Sequence, residues 1–186
     1  MKIKRASFNQ IEEIAALHTA SWRNTYGGML SESYLLNAVP AERLSIWRQR
    51  LASPKENQLV LVAEEDEFVV GFACVFIGEH AQWGSYLDNL HVSQAHQGRG
   101  VGRSLLAKIS SKCELRCPGR GLYLSVNQAN QRAQQFYLSL GAHNAQAAVW
   151  NAPDGSQVPT FRFAWHQARA LCENAAHECL GALGNA

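Results

Sequence analysis

Gln97-Gly98-Arg99-Gly100-Val101-Gly102-Arg103-Ser104 places three glycines within five positions, between two apolar runs of different period. The run before it, Tyr86-Leu87-Asp88-Asn89-Leu90-His91-Val92, reads as a strand. The run after it, through Val101, Leu105, Leu106, Ile109 and Cys113, has near-helical spacing. The segment is therefore read as strand, glycine turn and helix N-terminus. Glycine lets the backbone turn sharply and lets a ligand approach without a Cβ in the way. The first helical N–H groups lack intrahelical partners, so such a turn can bind phosphate.

Two common phosphate motifs do not fit. A Walker loop needs Lys and then Ser or Thr after its last glycine, whereas Gly102 is followed by Arg103-Ser104. The dinucleotide fingerprint needs a third glycine where Arg103 stands. What remains is Gln-x-x-Gly-x-Gly, from Gln97 to Gly102. A plain strand-to-helix turn that uses its glycines only for geometry would have the same composition.

The rest of the chain bounds the problem. Its 186 residues suit one domain with a proper core. Charged residues make up 17%, below the usual share of about 25%, which excludes a disordered or fibrous chain. A formal charge of +2, with Lys and Arg scattered, does not suggest a nucleic-acid partner. No apolar segment follows the basic start Met1-Lys2-Ile3-Lys4-Arg5, and no apolar run approaches about 18 residues, so a soluble, cytoplasmic protein with no membrane partner is expected. Cys74, Cys113, Cys117, Cys172 and Cys179 form an odd set without a Cys-x-x-Cys pair. Reduced, buried thiols are expected, with no metal.

Period and punctuation predict a strand over Ile3–Ala6 and an amphipathic first helix from Asn9, with Ile11, Ile14, Ala15, His18 and Trp22 on one stripe. Gly27-Gly28 ends that helix. Ser31 caps a short second helix through Leu36, and Pro40 opens a third whose Leu44, Trp47 and Leu51 share a face. Leu59–Ala63 and Phe68–Phe76 form a hairpin, Trp83–Val92 the next strand, and Leu122–Val126 another. A helix closed by Gly141 follows, then two strands flanking Ala152-Pro153-Asp154-Gly155. A last helix is expected over Gln167–Leu180. The order is α+β with a mixed central sheet; a doubly wound nucleotide fold would alternate strand and helix from the start.

A second segment narrows the reading. Leu124 to Ala142 contains a strand, Asn130 to Ala133 as an Asn-x-x-Ala helix start, Phe136-Tyr137 and the closing Gly141. With the Gln97–Gly102 loop in the right order and at the usual separation, it resembles the GNAT superfamily of N-acetyltransferases. The likeness runs from the N-terminal helix to about Trp165. Residues 1–165 would be the catalytic domain, and 166–186 a helical extension packed on it that could serve packing or homodimerisation.

The resemblance implies a mainly antiparallel mixed sheet, flanked by helices and splayed where acetyl-CoA enters between the strands ending at Val92 and Val126. Leu90, His91 and Val92 would bond the pantetheine arm like an added strand. The segment Gln97, Gly98, Arg99, Gly100, Val101, Gly102, Arg103 and Ser104 would hold the pyrophosphate, with N–H groups from Gly98 to Ser104 and charge from Arg99 and Arg103. Asn130 would reach the pantetheine, and Trp22 and Tyr26 would line the acceptor pocket. Tyr137 matches the family's general acid.

The base is less direct. The position that most often carries it falls near Tyr86, which cannot serve at neutral pH, whereas Asp88 is two residues on and on the same strand face. Asp88 is the candidate, with Glu64 the alternative. In a regular strand His91 projects to the opposite face, unless a bulge intervenes. The implied activity is acetyl transfer to the primary amine of a small molecule or peptide by direct attack in a ternary complex, since no cysteine sits in a nucleophile motif. A non-catalytic acetyl-CoA sensor is the alternative.

Overall fold

The computed structural model describes residues 1–171. A seven-stranded sheet runs in the order β1-β2-β3-β4-β5-β7-β6. Its strands are β1 (Lys2–Arg5), β2 (Gln58–Glu65), β3 (Phe68–His80), β4 (Gly84–Val92), β5 (Leu122–Asn127), β6 (His143–Asn151) and β7 (Gln157–Trp165). Every neighbouring pair is antiparallel except β4 and β5. The helices are α1 (Ile11–Tyr26), α2 (Val39–Ala52), α3 (Val101–Arg116) and α4 (Gln131–Ser139). The expected mixed α+β architecture is thus the one observed. The helix expected over Gln167–Leu180 lies, from Cys172 onward, outside the described residues, as do Cys172 and Cys179.

The two faces of the sheet follow from period-2 alternation. On β2 and β3, Leu61, Ala63, Ala73, Val75 and Ile77 face the core shared with Leu105, Leu106 and Ile109 of α3. The intervening Val60, Val62, Phe72, Cys74 and Phe76 face Ile11, Ile14 and Ala15 of α1 and Trp47 of α2. Burying one large apolar side chain contributes roughly 1.5–3 kcal/mol, so each layer is held mainly by its helical stripe. The acidic first turn of α1, Glu12 and Glu13, and Arg23 in its last turn complement the helix dipole.

The expected short second helix is not separate. Tyr34–Ala38 forms a π-helical turn that runs directly into α2, with Pro40 in the first turn where its missing N–H costs nothing. Ser31 does hold the start of this segment: its hydroxyl accepts from Tyr34 N, and its own N–H donates to Asp154 of the β6–β7 turn at 2.7 Å.

Two irregularities shape the middle of the sheet. In the β3–β4 ladder Cys74 pairs with Asn89 and Val75 with Leu87, so Asp88 is an extra, bulged residue. The parallel pairing of β4 with β5 covers only Ser85↔Leu122 and Tyr86↔Tyr123. The two strands touch at their starts, where Ser85 N donates to Gly121 O at 2.9 Å, and diverge beyond Tyr86.

Gly84 is the residue this closure cannot replace. Its φ is +82°, and a Cβ there would lie 2.1 Å from the Gly121 carbonyl oxygen. Gly84→Ala is expected to lower stability by about 3 kcal/mol or more in urea unfolding. Gly119→Ala, also at positive φ (+70°) but with open space around it, should cost only about 1–2 kcal/mol. Equal losses in the two variants would show that the β4–β5 contact is not the constraint.

Candidate active site

The divergence of β4 from β5 opens a cavity of about 830 Å³. Beyond Tyr86, β4 bonds β3 along one edge but has no β5 partner along the other. Backbone groups without a partner must find water or a ligand. The cavity is lined from β4 by Leu90, His91 and Val92, from the glycine loop by Gln97, Gly98, Gly100, Val101, Gly102 and Arg103, and from α4 by Asn130 and Tyr137. Trp22, Tyr26 and Asp88 line it as well. Most residues singled out by sequence therefore meet around one space.

The loop geometry explains its composition. Gly98 and Gly100 have φ of +78° and +80°, and Gly100 is the N-cap of α3 in the left-handed conformation that other residues adopt at a cost. Gly102 lies inside the first turn of the helix. Two residues of this segment stand apart from the cavity. Ser104 is not a lining residue, and its N–H donates to Gly100 O at 2.9 Å, so the outward N–H groups end before it. Arg99 also lies outside the lining and is 3.6 Å from Glu65, which His96 contacts at 3.0 Å.

Asn130 lines the cavity, but its side-chain oxygen caps α4 by accepting from Ala133 N at 3.0 Å. Its amide nitrogen and one lone pair of that oxygen are left for another partner. Tyr137 is 9% exposed, edge-on to Phe136 and Trp165, and burial pushes its phenol well above the usual range, so it is protonated at neutral pH.

The bulge at Asp88 resets the faces of β4. Tyr86 pairs with Phe76, Asn89 with Cys74 and His91 with Phe72, all on the α1–α2 side. His91 therefore shares a face with Tyr86 rather than lying opposite, because the extra residue shifts the alternation by one. Asp88 Oδ2 accepts from Arg50 Nη1 at 2.6 Å, and the same nitrogen donates to Asn89 Oδ1 at 3.0 Å. Among the described residues, Asp88 is the only carboxylate in the lining. Glu64 lies elsewhere, 2.8 Å from Lys4 Nζ and bonded to Gln10.

Several site residues escaped the sequence reading. His18, read as part of an apolar stripe, is buried and accepts at Nδ1 from Trp47 Nε1–H at 3.0 Å. An indole nitrogen only donates, so the neutral ring carries its proton on Nε2, an atom without a hydrogen-bond partner among the described residues. The His18 ring lies 4.7 Å from that of His91, whose Nδ1 is 2.7 Å from Ser21 Oγ. Burial, then the neighbouring His91 and Arg43, drives His18 strongly down; burial, then Arg43, lowers His91 to about 4.

Trp22, Tyr26 and Trp150 form an aromatic cluster with ring centroids 5.1 to 5.7 Å apart, and the Arg43 guanidinium lies 4.0 Å above Trp22. Arg43, Trp47 and Arg50 recur at i, i+4 and i+7, a spacing that could have flagged both arginines. Nothing local could have brought in Trp150, which arrives on β6.

Residues 12–142 match the family model described as acetyltransferase (GNAT) family. An uncharacterized N-acetyltransferase of Bacillus subtilis, YuaI, is 29% identical over 109 residues; the match covers 57% of this chain and 60% of that protein's length. A Salmonella typhimurium L-methionine sulfoximine/L-methionine sulfone acetyltransferase is 27% identical over 146 residues, covering 73% of this chain and 72% of its own. The crystal structure of the PaiA N-acetyltransferase of Thermoplasma acidophilum, in complex with coenzyme A, superposes with a TM-score of 0.64 at 20% identity, over 88% of this chain and 98% of that one.

The two histidines make stability depend on pH. The unfolded chain binds protons at both near 6.5, whereas folded His91 does so only near 4 and His18 lower still. The unfolded state thus holds more protons below 6.5, and stability is full above that value and falls on acidification. Each histidine contributes a slope of up to about 1.4 kcal/mol per pH unit. Urea midpoints should drop between pH 7 and pH 5, and His91→Gln should remove roughly half of the drop; a flat profile would show that neither ring is held neutral.

Proposed function

The chain belongs to the GNAT acetyltransferase family, and from that premise we propose an acetyl-CoA-dependent N-acetyltransferase acting on the primary amine of a small molecule or peptide by direct attack in a ternary complex. The observation that carries this reading is the unpaired β4 edge facing the same cavity as the glycine loop and Tyr137. The residues fit the cosubstrate. Leu90 and Val92 offer backbone groups to an extended amide-bearing arm, in the manner of an added strand, whereas His91, opposite Phe72, turns its own towards β3, and the Val92 carbonyl already accepts from Gln97 Nε2 at 3.2 Å. Gln97, Gly98, Gly100, Val101, Gly102 and Arg103 surround the place for a pyrophosphate, where outward N–H groups and the dipole of α3 favour negative charge. The Asn130 amide nitrogen can bond the arm.

In this mechanism the cosubstrate supplies a thioester carbonyl. A backbone N–H of β4 near Val92 stabilises the oxyanion as the amine nitrogen bonds to that carbon. With the thioester bound, Tyr137 would give its hydroxyl proton to the sulfur as the carbon–sulfur bond breaks, and would regain one from the nitrogen that has joined the carbonyl carbon, so that a neutral amide and a neutral phenol result. A simple thiol has a pKa near 8.5, so donation from a phenol lowers the barrier modestly. The ammonium proton of the acceptor passes to Asp88, directly or through water. Arg50 occupies Asp88 Oδ2, which leaves Oδ1 for the acceptor. Trp22 and Tyr26 wall the acceptor side. The Salmonella relative is named for small-molecule acceptors, which favours the small-molecule arm of the proposal.

Tyr137→Phe removes one oxygen from a packed ring, so coenzyme affinity by calorimetry should stay within about twofold. Turnover on any amine accepted by the wild type should fall about 10²-fold. Unchanged turnover would remove the acid role from Tyr137. Tight coenzyme binding by wild-type protein, with no amine in a broad panel acetylated by mass spectrometry, would instead indicate a sensor.

A further inference from the structure

The α1–α2 side of the cavity holds a cation that lacks an adequate partner. Arg43, on α2, is 8% exposed and lines the cavity. Its only ion pair among the described residues is with Glu42 at 3.4 Å, at the long limit for a hydrogen bond. Glu42 is itself 38% exposed and is engaged by Tyr34 Oη at 2.5 Å. Arg43 Nε is buried with no hydrogen-bond partner among the described residues. Arg50, by contrast, is taken by Asp88, Asn89 and a contact to Cys74 Sγ.

Burying a guanidinium with an unmet donor is costly, and a planar fork of donors matches a carboxylate. The surroundings specify more. The Arg43 guanidinium lies on the face of Trp22, which contacts Tyr26 and Trp150, so the cation is bordered by aromatic surface. The Asp88 carboxylate, with Oδ2 held by Arg50, lines the same cavity from β4. The glycine loop opens α3 on the opposite face of the sheet, so the phosphate end and Arg43 are separate.

Resting on the acetyltransferase reading above, we propose that Arg43 is a substrate-binding residue that anchors a carboxylate of the acceptor, and that the acceptor is a free α-amino acid with an apolar or aromatic side chain. The carboxylate takes the open donors of Arg43, the ammonium meets Asp88, and the side chain packs against Trp22, Tyr26 and Trp150. Polyamines and aminoglycosides bring no carboxylate to the arginine and are poor acceptors.

The test follows acetylation from acetyl-CoA by mass spectrometry. Its panel comprises L-phenylalanine, L-leucine and L-methionine, their carboxamides, phenethylamine and spermidine. It uses the wild type, Arg43→Gln and Arg43→Lys. In the wild type the free acids should exceed their carboxamides in kcat/KM by about 30-fold or more, because a site built for a charge rejects the analogue that leaves it unpaired. In Arg43→Gln that ratio should collapse towards one while coenzyme affinity is unchanged, and Arg43→Lys should restore part of it.

Equal use of acids and carboxamides by the wild type, or preference for spermidine, overturns the carboxylate site and leaves acetyl transfer standing. A ratio that survives in Arg43→Gln overturns the assignment to Arg43. If Arg43→Gln does not fold, the wild-type ratio and Arg43→Lys decide, since lysine keeps the charge but not the fork. Coenzyme binding with no panel member acetylated overturns the amino-acid site alone; the acetyltransferase reading falls only if the broad amine panel, peptides included, is untouched as well.

Discussion

Two parallel strands that share only two residue pairs govern this molecule. β4 and β5 are fastened at Ser85–Tyr86 and Leu122–Tyr123, where glycine backbone lies against glycine backbone, and they separate from there. The separation strips one edge of β4 of its partner and leaves main-chain donors and acceptors facing a cavity instead of a ladder. Everything chemical is arranged around that edge. The loop that opens α3 follows β4, and α4 follows β5, so each arm of the divergence leads to a helix N-terminus beside the cavity.

The bulge at Asp88 is the second device, and it works by counting. One extra residue moves His91 onto the face that carries Tyr86 and Asn89, and directs two consecutive side chains, Asp88 and Asn89, at the single nitrogen Nη1 of Arg50. A regular strand would have divided these groups between two cores. The result is a polar wall with aromatic neighbours on the α1–α2 side, while Leu87 still packs into the α3 core.

Elements with their own period were legible in the sequence. The β2–β3 hairpin, α1, α3 and the Asn130–Gly141 helix all announce themselves by spacing, caps and glycines, and the two motifs pointed to the sheet's opening. What could not be read was whatever depends on a partner. Register between β3 and β4 belongs to neither strand alone, so the face of His91 hung on a bulge that only the pairing reveals. The commitments of Arg99 to Glu65, of Ser104 N–H to Gly100 and of the Asn130 oxygen to its own helix are contacts that composition cannot express. Arg43 looked like one of many scattered cations until Trp22 and Trp150, distant in the chain, closed around it.

The closed end at Gly84 and Gly121 also turns residue number into depth. Because the two strands are paired at one place only, a residue's position along β4 sets how far it stands from that closed end. Tyr86, still beside Tyr123 at 5.0 Å, sits at the apex. Asp88 and Asn89 come next, then His91, and Val92 hands over to the loop at the mouth. Inserting or deleting a residue in β4 would therefore do more than swap faces; it would slide every later group to a different level of the wedge.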